Sequence, residues 1–171
     1  MSDSKTFYIL RHGETYATKN NTNYSPNDPN PPILEEGMGV LQKIGEYFKN
    51  IESEVNLVSE YLRCQMTADI VSKIADMQFI SEPLLNEAQT MGVEKKSETI
   101  SEFLDRTKRL YEKIISSENK SLFLITHGAN IGTLKSLLVK GVATEESIYD
   151  FPKPGVLTVI KNNQISELDF N

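Results

Sequence analysis

Tryptophan is absent from this sequence, cysteine occurs once and histidine twice, and each scarcity narrows what the chain can do. A lone Cys64 excludes an intrachain disulfide and a zinc site built on thiolates, so a reducing compartment fits best. Beside Arg63 it invites reading as a nucleophile, but Met66 and Ile70 follow at helical spacing, and a small buried residue is the expected role. No apolar run approaches the ~20 residues that span a bilayer, and Met1-Ser2-Asp3-Ser4-Lys5 shows no basic segment followed by an apolar one. No membrane partner is expected, and the expected location is the cytoplasm. Lys and Arg number 18 against 24 Asp and Glu, a net charge of −6, with the cations spread along the chain. Without a basic stripe, nucleic acid is not an expected partner. The acidic balance also repels anions at long range, so a phosphate ligand would depend on local cations, which draws attention to Arg11 and Arg63.

What is present suits a soluble globular protein: 39% of the 171 residues are hydrophobic and 25% charged. Val, Ile, Leu and Phe are too frequent for a disordered chain. The length fits one domain over residues 1–171, burying roughly 70% of the unfolded surface.

Residues 6–10 are apolar on consecutive positions, as in a strand covered on both faces. The Asn- and Pro-rich stretch 16–33 reads as a long loop unable to sustain a helix or a ladder. Helical spacing predicts helices over 36–50, 61–75, 98–117 and 130–139, the last stopped at Gly141. Strands are expected at 54–59, around Phe79 and Ile80, and at 121–126. Segment 86–98 lacks a period, and 155–160 and 164–168 form a hairpin through Asn162-Asn163. Strands alternating with helices give an α/β fold, a three-layer sandwich with a mostly parallel central sheet. Loop 16–33 and segment 86–98 are the expected cap over a site at the carboxyl ends of the strands.

The two histidines share one context. Leu10-Arg11-His12-Gly13 and Ile125-Thr126-His127-Gly128 each end an apolar run in His-Gly, and parallel neighbouring strands would bring the pair together. A residue without Cβ lets backbone approach a ligand or takes a positive φ at a strand-to-helix turn, and a helix starting after Gly128 would aim amides at an anion. Imidazole beside guanidinium suits phosphoryl chemistry: a neutral histidine can attack phosphorus while bidentate arginine holds the non-bridging oxygens. The remaining need is a proton donor for the leaving oxygen, a carboxylic acid with a raised pKa.

Arg11-His12-Gly13-Glu14-Thr15 resembles the signature of the histidine phosphatase superfamily, in its short phosphoglycerate mutase-like phosphatase branch. Pro32-Ile33-Leu34-Glu35-Glu36-Gly37 looks like the family's P-L-T-x-x-G helix entry. Ser59-Glu60-Tyr61-Leu62-Arg63-Cys64-Gln65-Met66-Thr67-Ala68 is similar to S-P-L-x-R-A-x-x-T-A, Leu85-Asn86-Glu87 to the L-x-E that carries the acid, and Thr126-His127-Gly128 to the second histidine motif. The resemblance implies that His12 becomes phosphohistidine while Arg11, Arg63 and His127 bind the phosphoryl group, with Gly13, Thr15, Thr18 and Gly128 lining it. It implies that Glu87 protonates the leaving group and then activates water, and it implies no cofactor and no metal. Glu60 stands where the family usually has proline, and Thr18 where many members have asparagine, which shifts one phosphate contact to Thr15, Thr18 or Asn20. The pattern after Glu87 is blurred, which leaves Glu82 and Glu94 as rival acids whose plainer reading is surface charge. Glu14 either orients the arginines or sits in the first turn of a helix.

The expected activity is hydrolysis of phosphomonoesters, or of protein phosphohistidine or phosphotyrosine, so the partner is a phosphorylated small molecule or phosphoprotein. Few cations in the two cap segments favour a monoester over a multiply phosphorylated substrate. The alternatives are a phosphoglycerate mutase-type phosphotransferase, for which the chain looks too short, and a non-catalytic phosphate-binding module.

Overall fold

The computed structural model describes residues 5–89 and 98–171. Its sheet has six strands: β1 (Thr6–Arg11), β2 (Val55–Val58), β3 (Ile80–Ser81), β4 (Ser121–Thr126), β5 (Val156–Lys161) and β6 (Gln164–Asp169). They lie in the order β3-β2-β4-β1-β5-β6. The first four in that order are mutually parallel, β5 runs antiparallel to β1, and β6 antiparallel to β5. Residues Asn162 and Asn163 turn the β5-β6 hairpin with φ of 52° and 58°, the left-handed pair that a two-residue turn requires and asparagine tolerates.

The continuous apolar runs of β1 and β4 follow from burial on both faces. Successive side chains point opposite ways, so Leu10, Phe123, Ile125, Val58 and Leu157 pack on one side with Leu41, Ile44 and Phe48 of α2 (Met38–Phe48) and Cys64, Ala68 and Val71 of α3 (Leu62–Ala75). Phe7, Ile9, Leu122, Leu124 and Ile160 face the other way, against Leu110 and Ile114 of α4 (Ile100–Ser116) and Ile131 and Leu134 of α5 (Gly128–Lys140). Helices therefore cover both faces of a mostly parallel sheet, the architecture expected from the sequence. Among the described residues no helix is long and apolar enough to cross a membrane.

Three segments depart from expectation. The stretch 16–33 is not all loop: α1 (Tyr16–Asn20) forms because Thr15 and Thr18 make a reciprocal capping box at its start, and it stops at Asn21 in the left-handed conformation. Caps at both ends stabilise one turn inside an Asn- and Pro-rich stretch. A 3-10 helix, Glu145–Tyr149, also occupies the connection between α5 and β5, opened by Thr144 and Ser147 in the same way. Helix α5 starts two residues earlier than its apolar spacing predicts, with His127 itself as the N-cap residue. Within 86–98, residues 86–89 are irregular, and 90–97 lie outside the described residues.

Candidate active site

Three neighbouring parallel strands deliver the site. Arg11 is level with Thr126, and Val58 with Ile125. The ladder runs one residue further, since His12 N–H donates to Thr126 O (2.9 Å) and Ser59 N–H to Ile125 O (3.0 Å). His12, His127 and Ser59 thus leave the sheet side by side at its carboxyl edge, where open α/β sheets place their ligands.

Both imidazoles are fully buried, with ring centroids 5.3 Å apart. His12 Nδ1 lies 2.8 Å from Gly13 O, a contact that needs the proton on Nδ1 and leaves Nε2 with its lone pair. Burial pushes His12 well below its ordinary pKa, and His127, Arg63 and Arg11 add to the shift. A neutral imidazole with its lone pair on Nε2 is the nucleophilic form, and the Tyr24 hydroxyl lies 3.4 Å from that nitrogen.

Arg63 lies in the first turn of α3, fully buried. Its Nη2 is 3.1 Å from Glu87 Oε2, and the guanidinium stacks between the rings of Tyr24 (4.3 Å) and Tyr61 (4.8 Å). Arg11 sits over the Phe151 ring at 4.9 Å. The Nε atoms of both arginines are buried without a hydrogen-bond partner. Buried donors are normally satisfied, so two such nitrogens on residues lining one cavity describe a place built for an acceptor. Arg11, Arg63 and Glu87 line a cavity of about 580 Å³ together with Tyr24, Tyr61 and Asn30.

Glu87 comes from the chain after β3. Thr126 donates its hydroxyl to Leu85 O (2.7 Å), tying that chain to β4. From α4, Arg106 donates Nη1 to Leu84 O (2.9 Å) and Asn86 O (3.0 Å) and Nη2 to Glu87 O (3.3 Å). The same guanidinium forms a fork with Glu98 at 2.7 and 2.9 Å. The Glu87 carboxylate, a quarter exposed, is 3.1 Å from His127 Nδ1 as well as from Arg63. Burial pushes its pKa up, but His127, Arg63 and His12 together outweigh that and hold it below the ordinary carboxylate range. The acid expected to have a raised pKa is therefore ionised in the free protein, because the hydrogen bond from His127 and the Arg63 guanidinium hold its carboxylate.

The other expected site residues divide. Gly13 N–H is taken by Thr67 Oγ1 (2.8 Å), and a Cβ there would sit 2.9 Å from Leu41 Cδ1. A Cβ on Gly128 would sit 2.7 Å from the Phe151 ring. Close packing, with φ in the ordinary range, is what requires glycine at both positions. Thr18 donates its hydroxyl to Thr15 O (3.1 Å) and accepts from Thr15 N–H (2.8 Å), so it caps α1. Thr15 is fully buried and reaches the site through Tyr24 Oη at 3.2 Å. Asn20 is turned to Tyr16 O (2.8 Å).

Among the rival acids, Glu82 is buried at the start of the turn before Glu87, where it accepts from Leu84 N–H (3.1 Å) and pairs with Lys113. That is a buried structural role rather than a surface charge. Glu94 lies outside the described residues. Glu14 borders a different cavity with Glu36, Gly37 and Asn171, and its carbonyl accepts from Leu34 N–H (2.7 Å). Cys64 is fully buried, its thiol pushed up by burial, and donates to Thr126 O (3.6 Å). A protonated thiol there is no nucleophile.

Sequence reasoning missed Tyr24, Tyr61, Ser59, Asn86 and Arg106. Ser59 and Tyr61 lay inside a recognised motif. Tyr24 was hidden in a stretch notable for asparagine and proline, and Arg106 on the helix over 98–117, which was read from its apolar spacing alone. His12, Glu87 and His127 offer atoms within 4.8 Å of one another, but two flanking guanidinium groups give the pocket a field that favours an anion over a cation.

The fold has known counterparts. An alpha-ribazole phosphatase from Shigella flexneri superposes with a TM-score of 0.76 at 17% identity, over 96% of this chain and 95% of that one. Mycobacterial glucosyl-3-phosphoglycerate phosphatase gives 0.71 at 14% identity, over 92% and 90%. A phosphoglycerate mutase from Bacillus anthracis gives 0.69 at 18% identity, over 99% and 95%. Comparison with curated protein sequences gives no match. Residues 7–99, more than half of the chain, match the histidine phosphatase superfamily (branch 1), and the chain belongs to that family.

Proposed function

We propose that the chain is a metal-independent phosphatase that hydrolyses phosphomonoesters through a phosphohistidine on His12. One observation carries the reading: Arg11 and Arg63, whose buried Nε atoms have no hydrogen-bond partner, line one cavity with Glu87, whose carboxylate reaches His127 Nδ1 at 3.1 Å. The non-bridging oxygens of a phosphoryl group would satisfy the two guanidinium groups.

In the first step Nε2 attacks phosphorus and the bond to the leaving oxygen breaks, with a proton supplied by Glu87. The free carboxylate is ionised, so it must first take up that proton, and a bound phosphoryl dianion favours this by setting a like charge beside it. In the second step Glu87 removes a proton from water, the water oxygen attacks phosphorus, the P–N bond breaks and inorganic phosphate leaves. His12 returns to its neutral form.

Among the described residues lining the cavity the only cations are Arg11 and Arg63, which the phosphoryl group occupies, while Thr22, Asn23, Asn30 and Gln89 are neutral and polar. This lining supports a singly phosphorylated small molecule with a neutral, hydrogen-bonding leaving group. Replacing His12 with Ala is expected to abolish phosphate release from p-nitrophenyl phosphate and to remove the covalent label left by radioactive substrate. Unchanged turnover would overturn the reading.

A further inference from the structure

Arg63 is held on more sides than its pairing with Glu87 requires. A guanidinium is planar and donates only in its plane, so its two faces offer no hydrogen bond. Here the group is sandwiched between aromatic rings, with Cζ 4.3 Å from the Tyr24 ring and 4.8 Å from the Tyr61 ring. Helical spacing alone would not bring Tyr61 to Arg63, since residues two apart do not face each other on a helix. Tyr61 is instead the N-cap residue of α3, extended at φ −67° and ψ 140°, which lets its ring fold across the side chain two residues on.

Both rings are themselves anchored. Tyr24 Oη is 3.2 Å from Thr15 Oγ1, and its ring meets Tyr16 edge-on with centroids 6.2 Å apart. Tyr61 Oη accepts from Gln89 Nε2 (2.7 Å), and its ring stands edge-on to His127 at 5.2 Å. In its own plane Arg63 gives Nη2 to Glu87 Oε2 (3.1 Å) and Nη1 to Pro29 O (3.5 Å), while Nε has no hydrogen-bond partner among the described residues.

Resting on the phosphoryl-transfer reading above, we infer that Tyr24 and Tyr61 are positioning residues that fix the plane of Arg63, so that its Nε edge stays on the phosphoryl oxygens while Glu87, bound to Nη2, gains and loses its proton. An arginine held by its ion pair alone would follow the carboxylate, and that pull weakens each time the acid is protonated. Attraction of the cation to the two ring faces does not depend on that proton. The rings also cover the faces, so ligand oxygens meet the group only at its edge. Glu87 can then act as acid and as base without disturbing the side chain that holds the phosphoryl group.

Inorganic phosphate, titrated by calorimetry, tests the clamp without turnover. Tyr61→Leu should weaken phosphate binding about tenfold, as loss of a desolvated cation–π contact predicts, with kcat/KM on p-nitrophenyl phosphate falling in step. Tyr61→Phe, which keeps the ring, should recover most of that loss. The loss should persist in a Glu87→Gln background, where the acid is neutral, and shrink to about twofold or less in Arg63→Ala, where no guanidinium remains to be held. If Tyr61→Leu does not fold, Tyr24→Leu takes its place, with Tyr24→Phe as the reference because the Tyr24 hydroxyl also lies 3.4 Å from His12 Nε2. Wild-type affinity in the leucine variant, a loss undiminished in Arg63→Ala, a loss that vanishes in Glu87→Gln, or one that phenylalanine fails to recover would overturn the inference even with turnover intact. Absence of phosphohistidine on His12 would instead strike the proposed function and leave these affinities standing.

Discussion

Arg106 is the test of how the fold holds Glu87, and its replacement by Ala can be worked through from the contacts. The side chain is 14% exposed and makes five hydrogen bonds, three to the carbonyls of Leu84, Asn86 and Glu87 and two to Glu98. Bonds to charged groups contribute ~1.5–3 kcal/mol each, but they are not additive, and water can reach part of this site. A net loss of about 2–3 kcal/mol follows, or roughly 5–10 °C in Tm for a chain of this size. The catalytic effect is separate. Freed of its clamp, the 84–87 backbone lets the Glu87 carboxylate drift, and a displacement near 1 Å costs on the order of 10²-fold in rate. The expected result is kcat lower by about 10- to 100-fold with KM little changed. Arg106→Lys, which keeps the charge without the fork, should fall between. Thermal melting and steady-state kinetics on one preparation separate the two effects. A lowered Tm with kcat within twofold of wild type would refute the claim that Arg106 positions the acid.

Other perturbations probe the remaining parts. Glu87→Gln keeps the volume and loses the proton, so kcat should drop by about 10²–10⁴ on alkyl phosphates and less on p-nitrophenyl phosphate, whose leaving group needs no proton; equal losses on both would exclude Glu87 as the donor. Both histidines sit below their ordinary pKa in the fold. The unfolded chain therefore binds protons first on acidification, and stability should fall as the pH drops through about 6.5, with Glu87 adding its share only below about 4.3. A Tm that stays level from pH 7 to 5 would contradict this. Gly132→Ala would place a Cβ 2.1 Å from Ser147 O, and since backbone cannot yield, a loss of about 3 kcal/mol is expected by denaturant titration. Phe123→Ala removes a fully buried ring stacked on Phe48 at 4.1 Å and should cost about 3–5 kcal/mol, read in the same way.

The sheet was legible because its signal is local. Unbroken apolar runs such as Phe7 to Leu10 and Leu122 to Ile125 arise only where both faces are covered, and the helical faces of α2 and α4 repeat over several turns. Helix α1 was not legible, because one turn has no period and its stability lies in the Thr15-Thr18 cap. The 3-10 turn at Glu145–Tyr149 escaped for the same reason.

In the site, identity and spacing revealed the residues that leave strand ends, His12 and His127, and those fixed by a recognised motif, Arg63 and Glu87. Their protonation states were another matter. The acid was expected to have a raised pKa from its task alone, yet the empty pocket holds it down through the hydrogen bond from His127 and the Arg63 guanidinium. His127 looked like one more donor to phosphate, yet its ring is also held at both nitrogens, Nε2 2.8 Å from the Ser59 hydroxyl and Nδ1 3.1 Å from the Glu87 carboxylate. Neither Ser59 nor Asn86 is ionisable, so no reading of charge or spacing would single them out. What makes them consequential is contact: Asn86 Oδ1 accepts from Glu60 N–H and from the Ser59 hydroxyl, and that hydroxyl seats His127 Nε2, so the ring is placed by two segments that carry no charge of their own to mark them.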